Sequence, residues 1–200
     1  MWAIGNGESR ATIDINNLNG PKAGCNALWR DYYTDYLVCV DKRMMQEVLS
    51  AGVNTQGTLV YTRPDWYKSF QTSRVRKVPE LPYKGEQRWD EPFQWGSGPY
   101  AVLVASMFAK ERYVNLIGFD LHSKTKTVNN MYKNTPNYDN DDKRAVDPRY
   151  WIHQIGMVFN CFPKINYTIY QETDWKLPKA WNYPNVSVDK LSNISYNNNN

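Results

Sequence analysis

Cysteine is scarce in this chain of 200 residues, with three in all: Cys25, Cys39 and Cys161. The number is odd and no CxxC spacing occurs, which argues against a disulfide framework and a zinc site and leaves the three as small apolar residues. Histidine is scarcer still. His122 and His153 are the two side chains whose ordinary pKa suits proton transfer near neutrality. Long hydrophobic runs are missing as well, since the longest, Tyr100 to Ala109, falls far short of the ~20 residues that a membrane-spanning helix needs. No block of like charge occurs either. Lys plus Arg at 24 against Asp plus Glu at 20 leaves a formal charge of +4, too mild and too scattered for a dedicated nucleic-acid binder. Met1-Trp2-Ala3-Ile4 meets Gly5 with no basic segment and no extended apolar stretch, so no secretory signal and a cytoplasmic location are expected. The sequons at Asn166, Asn185 and Asn193 then read as accidents of an Asn-rich chain.

What is present is enough for a globular domain. Apolar residues make up 42% and aromatics 14%, while the mean hydropathy of −0.70 says that much of the apolar area is Tyr and Trp with a polar tip. Trp2-Ala3-Ile4 breaking into Gly5-Asn6-Gly7-Glu8-Ser9 predicts a buried strand ending in a tight turn. Tyr36 to Val40 is continuously apolar, the mark of a strand covered on both faces. Asp41 then caps a helix carrying Met44, Met45, Val48 and Leu49 on one face, and Thr58 to Tyr61 is the next strand. Residues 62–95 read as an irregular insertion, with a short strand at Val75 to Val78. Gly96-Ser97-Gly98-Pro99 starts a buried helix, Tyr113 to Gly118 is a further strand, and Asp120 and His122 leave it at the end where open α/β sheets place ligands. Residues 123–147 form a polar stretch long enough to be a lid. Pro148 opens a last amphipathic helix, and Ile165 to Tyr170 closes the sheet. The expectation is one α/β domain over 1–173, followed by an arm at 174–200 whose end, Asn197 to Asn200, is frayed.

Several residues in this frame can carry chemistry. The glycines of Gly5-Asn6-Gly7-Glu8-Ser9 let a phosphate or sugar approach backbone N–H groups, although Arg10 stands where a dinucleotide fingerprint requires a third small residue. Asn26 ends a second strand with an amide that reads a base or ribose edge, or serves only as a turn residue. Asp41 can accept a ribose hydroxyl or cap its helix. Asp139-Asn140-Asp141-Asp142 has the look of a metal-binding DxD, but it lies within a loop and reads as a solvated acidic turn, so no metal is expected.

Four blocks carry a resemblance. Gly5-Asn6-Gly7-Glu8-Ser9 is similar to a GNGPS turn, Cys25-Asn26 to a CN pair, Ser97-Gly98-Pro99-Tyr100-Ala101 to an SG helix start, and Leu116-Ile117-Gly118-Phe119-Asp120 to a GxD strand end. In this order, over roughly residues 2 to 170, they resemble the single-domain bacterial sialyltransferases and the related pterin-pyrophosphokinase-like proteins that share the opening motif. The resemblance implies a Rossmann-like fold, with a mostly parallel sheet, helices on both faces, irregular insertions and a C-terminal arm. It implies that Asn6 and Asn26 contact a nucleotide, with Gly5, Gly7, Ser9 and Asp120 around it. Ser97 and Gly98 would cradle its ribose or phosphate, and Asp41 would stand near the family's nucleoside-reading asparagine. Asp41 is a departure, because a carboxylate accepts hydrogen bonds but does not donate them as an amide does. His122 takes the place of a phosphate-contacting tyrosine, Tyr132 or Tyr138 that of a second, and His153 is the nearest counterpart of the catalytic histidine. The implied activity is metal-free transfer of a sialic-acid-like sugar from a nucleotide donor, CMP-linked, to a glycan or other hydroxyl acceptor. No further cofactor is implied, and homo-oligomerisation is left open. Two alternatives share the scaffold: a magnesium-dependent nucleotide or pterin diphosphate transferase, and an inactive nucleotide-binding protein.

Overall fold

A computed structural model describes residues 1–123 and 125–196; Lys124 of the expected lid and the expected frayed end, Asn197 to Asn200, lie outside the described residues. Among the described residues, eight strands form one sheet: β1 (Trp2–Ile4), β2 (Lys22–Cys25), β3 (Tyr36–Val38), β4 (Leu59–Thr62), β5 (Val75–Lys77), β6 (Tyr113–Ile117), β7 (Asn166–Gln171) and β8 (Val186–Lys190). Their order is β5-β4-β3-β2-β1-β6-β7-β8, and every neighbouring pair is parallel. Four α-helices accompany them: α1 (Lys42–Ser50), α2 (Pro64–Tyr67), α3 (Ser97–Phe108) and α4 (Arg149–Cys161). This is the expected α/β, Rossmann-like fold. No helix among the described residues is long and apolar enough to cross a membrane.

Strand periodicity decides which helix covers which face. Ala3, Ala23, Cys25, Val38, Leu116 and Ile169 point to one side, where they share a core with α3 and α4. Trp2, Ile4 and Ile117 point to the other, against Leu28 of the 3-10 turn after β2 and Ile13 and Ile15 of the loop before it, and Leu37 and Val60 meet Met44, Met45 and Val48 of α1. Both faces are thus covered, which is why these strands read as unbroken apolar runs. The small Ala3 and Ala23 let α3 approach closely, and Pro99 to Ser106 are all buried.

Two parts of the chain are more regular than the sequence suggests. The insertion at 62–95 contains α2, and the short strand expected in it is β5, paired with β4 from Val60↔Val75 to Thr62↔Lys77. The segment expected to be an arm supplies β8, paired with β7 from Tyr167↔Val186 to Gln171↔Lys190, so the sheet does not close at Tyr170. Trp181, before β8, is fully buried against Phe159 and donates from Nε1 to the Ile152 carbonyl at 2.7 Å. The chain runs outward from β1 to β5 and then returns to place β6 on the other side of β1. That reversal opens a crevice beyond the carboxyl ends of β1 and β6.

Candidate nucleotide-binding site

The turn after β1 is held against the end of β6. Gly5 N–H donates to the Ile117 carbonyl and Gly7 N–H to the Gly118 carbonyl, both at 2.9 Å. A Cβ on Gly5 would run into the Gly118 carbonyl oxygen, and one on Gly7 would sit 2.6 Å from the Asp120 carboxylate oxygens, so both contacts require glycine. Asp120 is 8% exposed and accepts from Ser9 N–H at 2.9 Å, from the Ser9 hydroxyl, and from Gln171 Nε2 at 3.2 Å. Its carboxylate and the Ser9 side chain are thereby spent on fixing the turn.

Asn6 is committed in the same way. Nδ2 donates to the Cys25 carbonyl at 3.1 Å and to Tyr138 Oη at 3.3 Å, while Oδ1 accepts from Arg10 Nη2 at 3.5 Å. The amide therefore ties the ends of β1 and β2 to the polar loop. Arg10, 1% exposed, fills the space where a dinucleotide fold has a small residue. Its Nε donates to the Gly5 carbonyl at 2.8 Å and its Nη2 to Tyr132 Oη at 3.2 Å, and the Tyr132 hydroxyl donates in turn to Asp31 Oδ2 at 2.8 Å. Tyr132 was expected near the ligand. The structure instead buries it against Arg10 with its hydroxyl fully used, and it is Tyr138 that reaches the crevice.

The crevice encloses about 360 Å³, within the range of small-molecule sites. Its floor is the Gly5–Gly7 turn with Cys25 and Asn26, and one wall is Val40 and Asp41 beside the start of α3. By helix geometry the N–H groups of Ser97 and Gly98 have no intrahelical acceptor and carry partial positive charge at that wall. Ser97 Oγ is engaged, accepting from Val40 N–H at 3.0 Å, so it positions the helix against β3. Asn26 sits in the left-handed region (φ 50°), with Oδ1 enclosed and unpartnered. Burial pushes the Cys25 thiol up to about 12 and Cys39 well above its ordinary value, so both stay neutral beneath the site. Trp151 and Ile155 of α4 and Phe119 give an apolar side.

The two histidines part company. His122, exposed, lines the crevice, its N–H on the Asp120 carbonyl at 2.7 Å and its carbonyl accepting from Asn129 at 2.9 Å. His153 stands outside the lining, with Nε2 2.6 Å from Asp90 Oδ1 and its ring 5.6 Å from that of Trp89. Burial alone would raise the Asp90 carboxyl, but hydrogen bonds from His153, the Gln87 N–H and Tyr83 outweigh it and hold the pKa below the usual carboxylate value.

Residues 123–147 do not behave as one unit. The middle is anchored: Met131 N–H donates to the Asn6 carbonyl at 2.8 Å, Arg30 holds Thr135 and the Pro136 carbonyl at 2.8 and 2.9 Å, and Asn137 donates to Glu47 at 2.6 Å. On either side, Val128 to Asn130 and Ala145 and Val146 border the crevice, joined by an antiparallel bridge between Thr127 and Arg144. Asp139 also borders it, ion-paired with Lys143 at 3.2 Å. The described residues contain no group of three or more His, Cys, Asp or Glu able to hold a metal ion.

Of the sequence-derived site residues, the structure brings Gly5, Asn6, Gly7, Asn26, Asp41, Ser97, Gly98, Asp120 and His122 to one crevice, and leaves Ser9, Tyr132 and His153 outside its lining. Gln171 is the participant that the sequence did not single out, whereas Tyr138 is one of the two tyrosines offered by the resemblance and Arg10 the departure from the dinucleotide fingerprint. Compared with known proteins, the chain matches no family model, no curated protein and no solved structure.

Proposed function

We propose that the chain is a glycosyltransferase that binds a nucleotide-activated sugar in the switch-point crevice and transfers the sugar to a hydroxyl acceptor. One observation carries the reading. The start of α3, with its unpaired N–H groups, faces the same crevice as the unpartnered carboxylate of Asp41, a polarity that suits a ligand with an anionic phosphate and hydroxyl- or amino-bearing ends. The nucleotide phosphate sits at Ser97 and Gly98. The acceptor oxygen attacks the anomeric carbon, the bond from that carbon to the phosphate oxygen breaks, and the nucleotide leaves with the bonding pair. His122, the histidine at the crevice, takes the acceptor proton, and the N–H groups of α3 offset charge on the departing phosphate. Val128 to Asn130 with Ala145 and Val146 exclude water, whose attack is the competing reaction. A CMP-linked donor remains the first to test, and a cytoplasmic setting suits three unpaired cysteines.

Thermal-shift measurements across nucleotides and nucleotide sugars, with and without magnesium, test the reading, because a ligand selective for the folded state raises its melting temperature. Stabilisation by a nucleotide sugar, followed by transfer that His122→Ala slows by roughly 100- to 10,000-fold with donor binding retained, is the expected result. Turnover unchanged in His122→Ala would remove the imidazole from the mechanism, and binding without any transfer would leave a nucleotide-binding protein.

A further inference from the structure

The crevice is polar on one side and apolar on the other. Its polar side lies toward β2 and β3, where Asp41 and the start of α3 border it. The other side, across β1, is built by the segment after β6, by α4 and by the two borders of the polar loop, and carries Leu121, Val128, Ala145, Val146, Trp151 and Ile155. Val128 N–H donates to the Lys143 carbonyl and Ala145 N–H to the Lys126 carbonyl, both at 3.0 Å, so the two loop borders run side by side. Trp151 and Ile155 are one turn apart on α4 and share its face. Val146 stands 61% exposed at the rim, an apolar surface left to water at the mouth of the site.

The polar side chains along this side are already engaged. Asn129 Oδ1 accepts from Glu8 N–H at 2.8 Å while its Nδ2 donates to the His122 carbonyl at 2.9 Å, and Asn130 Oδ1 accepts from Tyr132 N–H at 2.9 Å. The Ser123 hydroxyl is bonded to that of Thr125 at 3.0 Å, and Asp139 is held by Lys143. The imidazole of His122 is bonded to no described residue. A sugar ring placed here would lose water from several hydroxyls and find one partner, and each hydroxyl left unpaired costs free energy. A nucleotide base fits poorly for the same reason. An apolar body instead takes the exposed wall out of water. Resting on the glycosyltransferase reading above, we infer that the acceptor carries its hydroxyl on an apolar body, as an aryl or alkyl alcohol does. That hydroxyl meets His122 and gives it the proton. Its oxygen bonds to the anomeric carbon as the bond from that carbon to the phosphate oxygen breaks, the electron pair leaves on the nucleotide, and the product is an aryl or alkyl glycoside.

Calorimetry on the full chain, saturated with whichever of CMP, UMP, GMP and AMP binds it most tightly, tests this with para-cresol, hexanol and methyl β-galactoside as probes. The expected result is binding of the alcohols, the tighter of the two separating an aryl from an alkyl acceptor, with methyl β-galactoside at least about tenfold weaker. Trp151→Ala should weaken the alcohols by about tenfold or more and leave nucleotide affinity unchanged. Val146→Asn, at an exposed position that spares the core, should act in the same direction. Binding of neither alcohol, methyl β-galactoside binding as tightly as they do, or alcohol binding that neither variant weakens overturns the inference and leaves the nucleotide site in place. Loss of nucleotide affinity in both variants also overturns it, by giving this side to the base. Failure of every nucleotide to bind wild type overturns both.

Discussion

Replacing Gly7 by alanine should cost more stability than any propensity argument allows, and the cost should depend on Asp120. The Cβ would lie 2.6 Å from both Asp120 carboxylate oxygens. The carboxylate, whose Cγ would lie closer still, must retreat by about 1 Å to reach ordinary contact, which stretches or breaks the bonds it accepts from Ser9 N–H at 2.9 Å and Gln171 Nε2 at 3.2 Å as well as that from the Ser9 hydroxyl. Hydrogen bonds to a charged acceptor contribute about 1.5–3 kcal/mol each, and partial loss of this set gives roughly 2–4 kcal/mol. For a urea slope of roughly 2 kcal/mol/M, the unfolding midpoint falls by about 1–2 M. Asp120→Ala removes the same bonds and should cost a similar amount. In its background the clash is gone, so adding Gly7→Ala should cost less than about 1 kcal/mol, and the double-mutant cycle should show coupling of about 1–3 kcal/mol. Equal costs of Gly7→Ala in the two backgrounds would refute the claim that Asp120 pins the turn.

Asn6→Ala should lower stability by about 1–3 kcal/mol even without ligand, since the Cys25 carbonyl and Tyr138 lose a partner; a variant as stable as wild type in urea would free that amide for ligand binding. In the polar loop, trypsin should cut at Lys126, Lys143 or Arg144 before Lys133, which lies in the anchored middle and pairs with Glu8 at 2.5 Å, and cleavage first at Lys133 would contradict the division of the loop. Asp90 has a depressed folded-state pKa, so its contribution is present above the ordinary carboxylate range near pH ~4 and is lost as pH falls through the lower folded value. Asp90→Asn should therefore flatten the acid limb of a melting-temperature profile, and an unchanged limb would remove Asp90 from it. An aromatic disulfide reagent should modify Cys161 in the native protein and reach buried Cys25 and Cys39 only on unfolding; three thiols reacting together without denaturant would argue against that core.

The inner half of the sheet is legible in sequence because its signals are local. Trp2-Ala3-Ile4 ending in glycine, the apolar run at Tyr36, and the small residues before Pro99 each announce an element without reference to the rest of the chain. β8 does not, because Val186-Ser187-Val188-Asp189-Lys190 holds two apolar residues and is a strand only by pairing with β7. The crevice shows the same boundary. Its glycines and helix start are written in short motifs, whereas the use of each polar side chain depends on partners far along the chain: Tyr138 reaches Asn6 across 132 residues and His153 reaches Asp90 across 63. Arg10 reads in sequence as a failed fingerprint, and in the fold it is the buried cation that holds the Gly5 carbonyl and, through Tyr132, Asp31.

Hydrogen exchange followed by mass spectrometry, with and without a saturating nucleotide sugar, addresses the central claim most directly. Binding at the switch point should slow exchange at the Gly5–Gly7 turn, at Asn26 and Ala27, at the start of α3 and over Gly118 to His122, while β8 and the surface around Arg76 and Lys77 remain unchanged. Protection confined to other surfaces, or none at the turn and the start of α3 under conditions where calorimetry shows binding, would contradict a nucleotide site in this crevice.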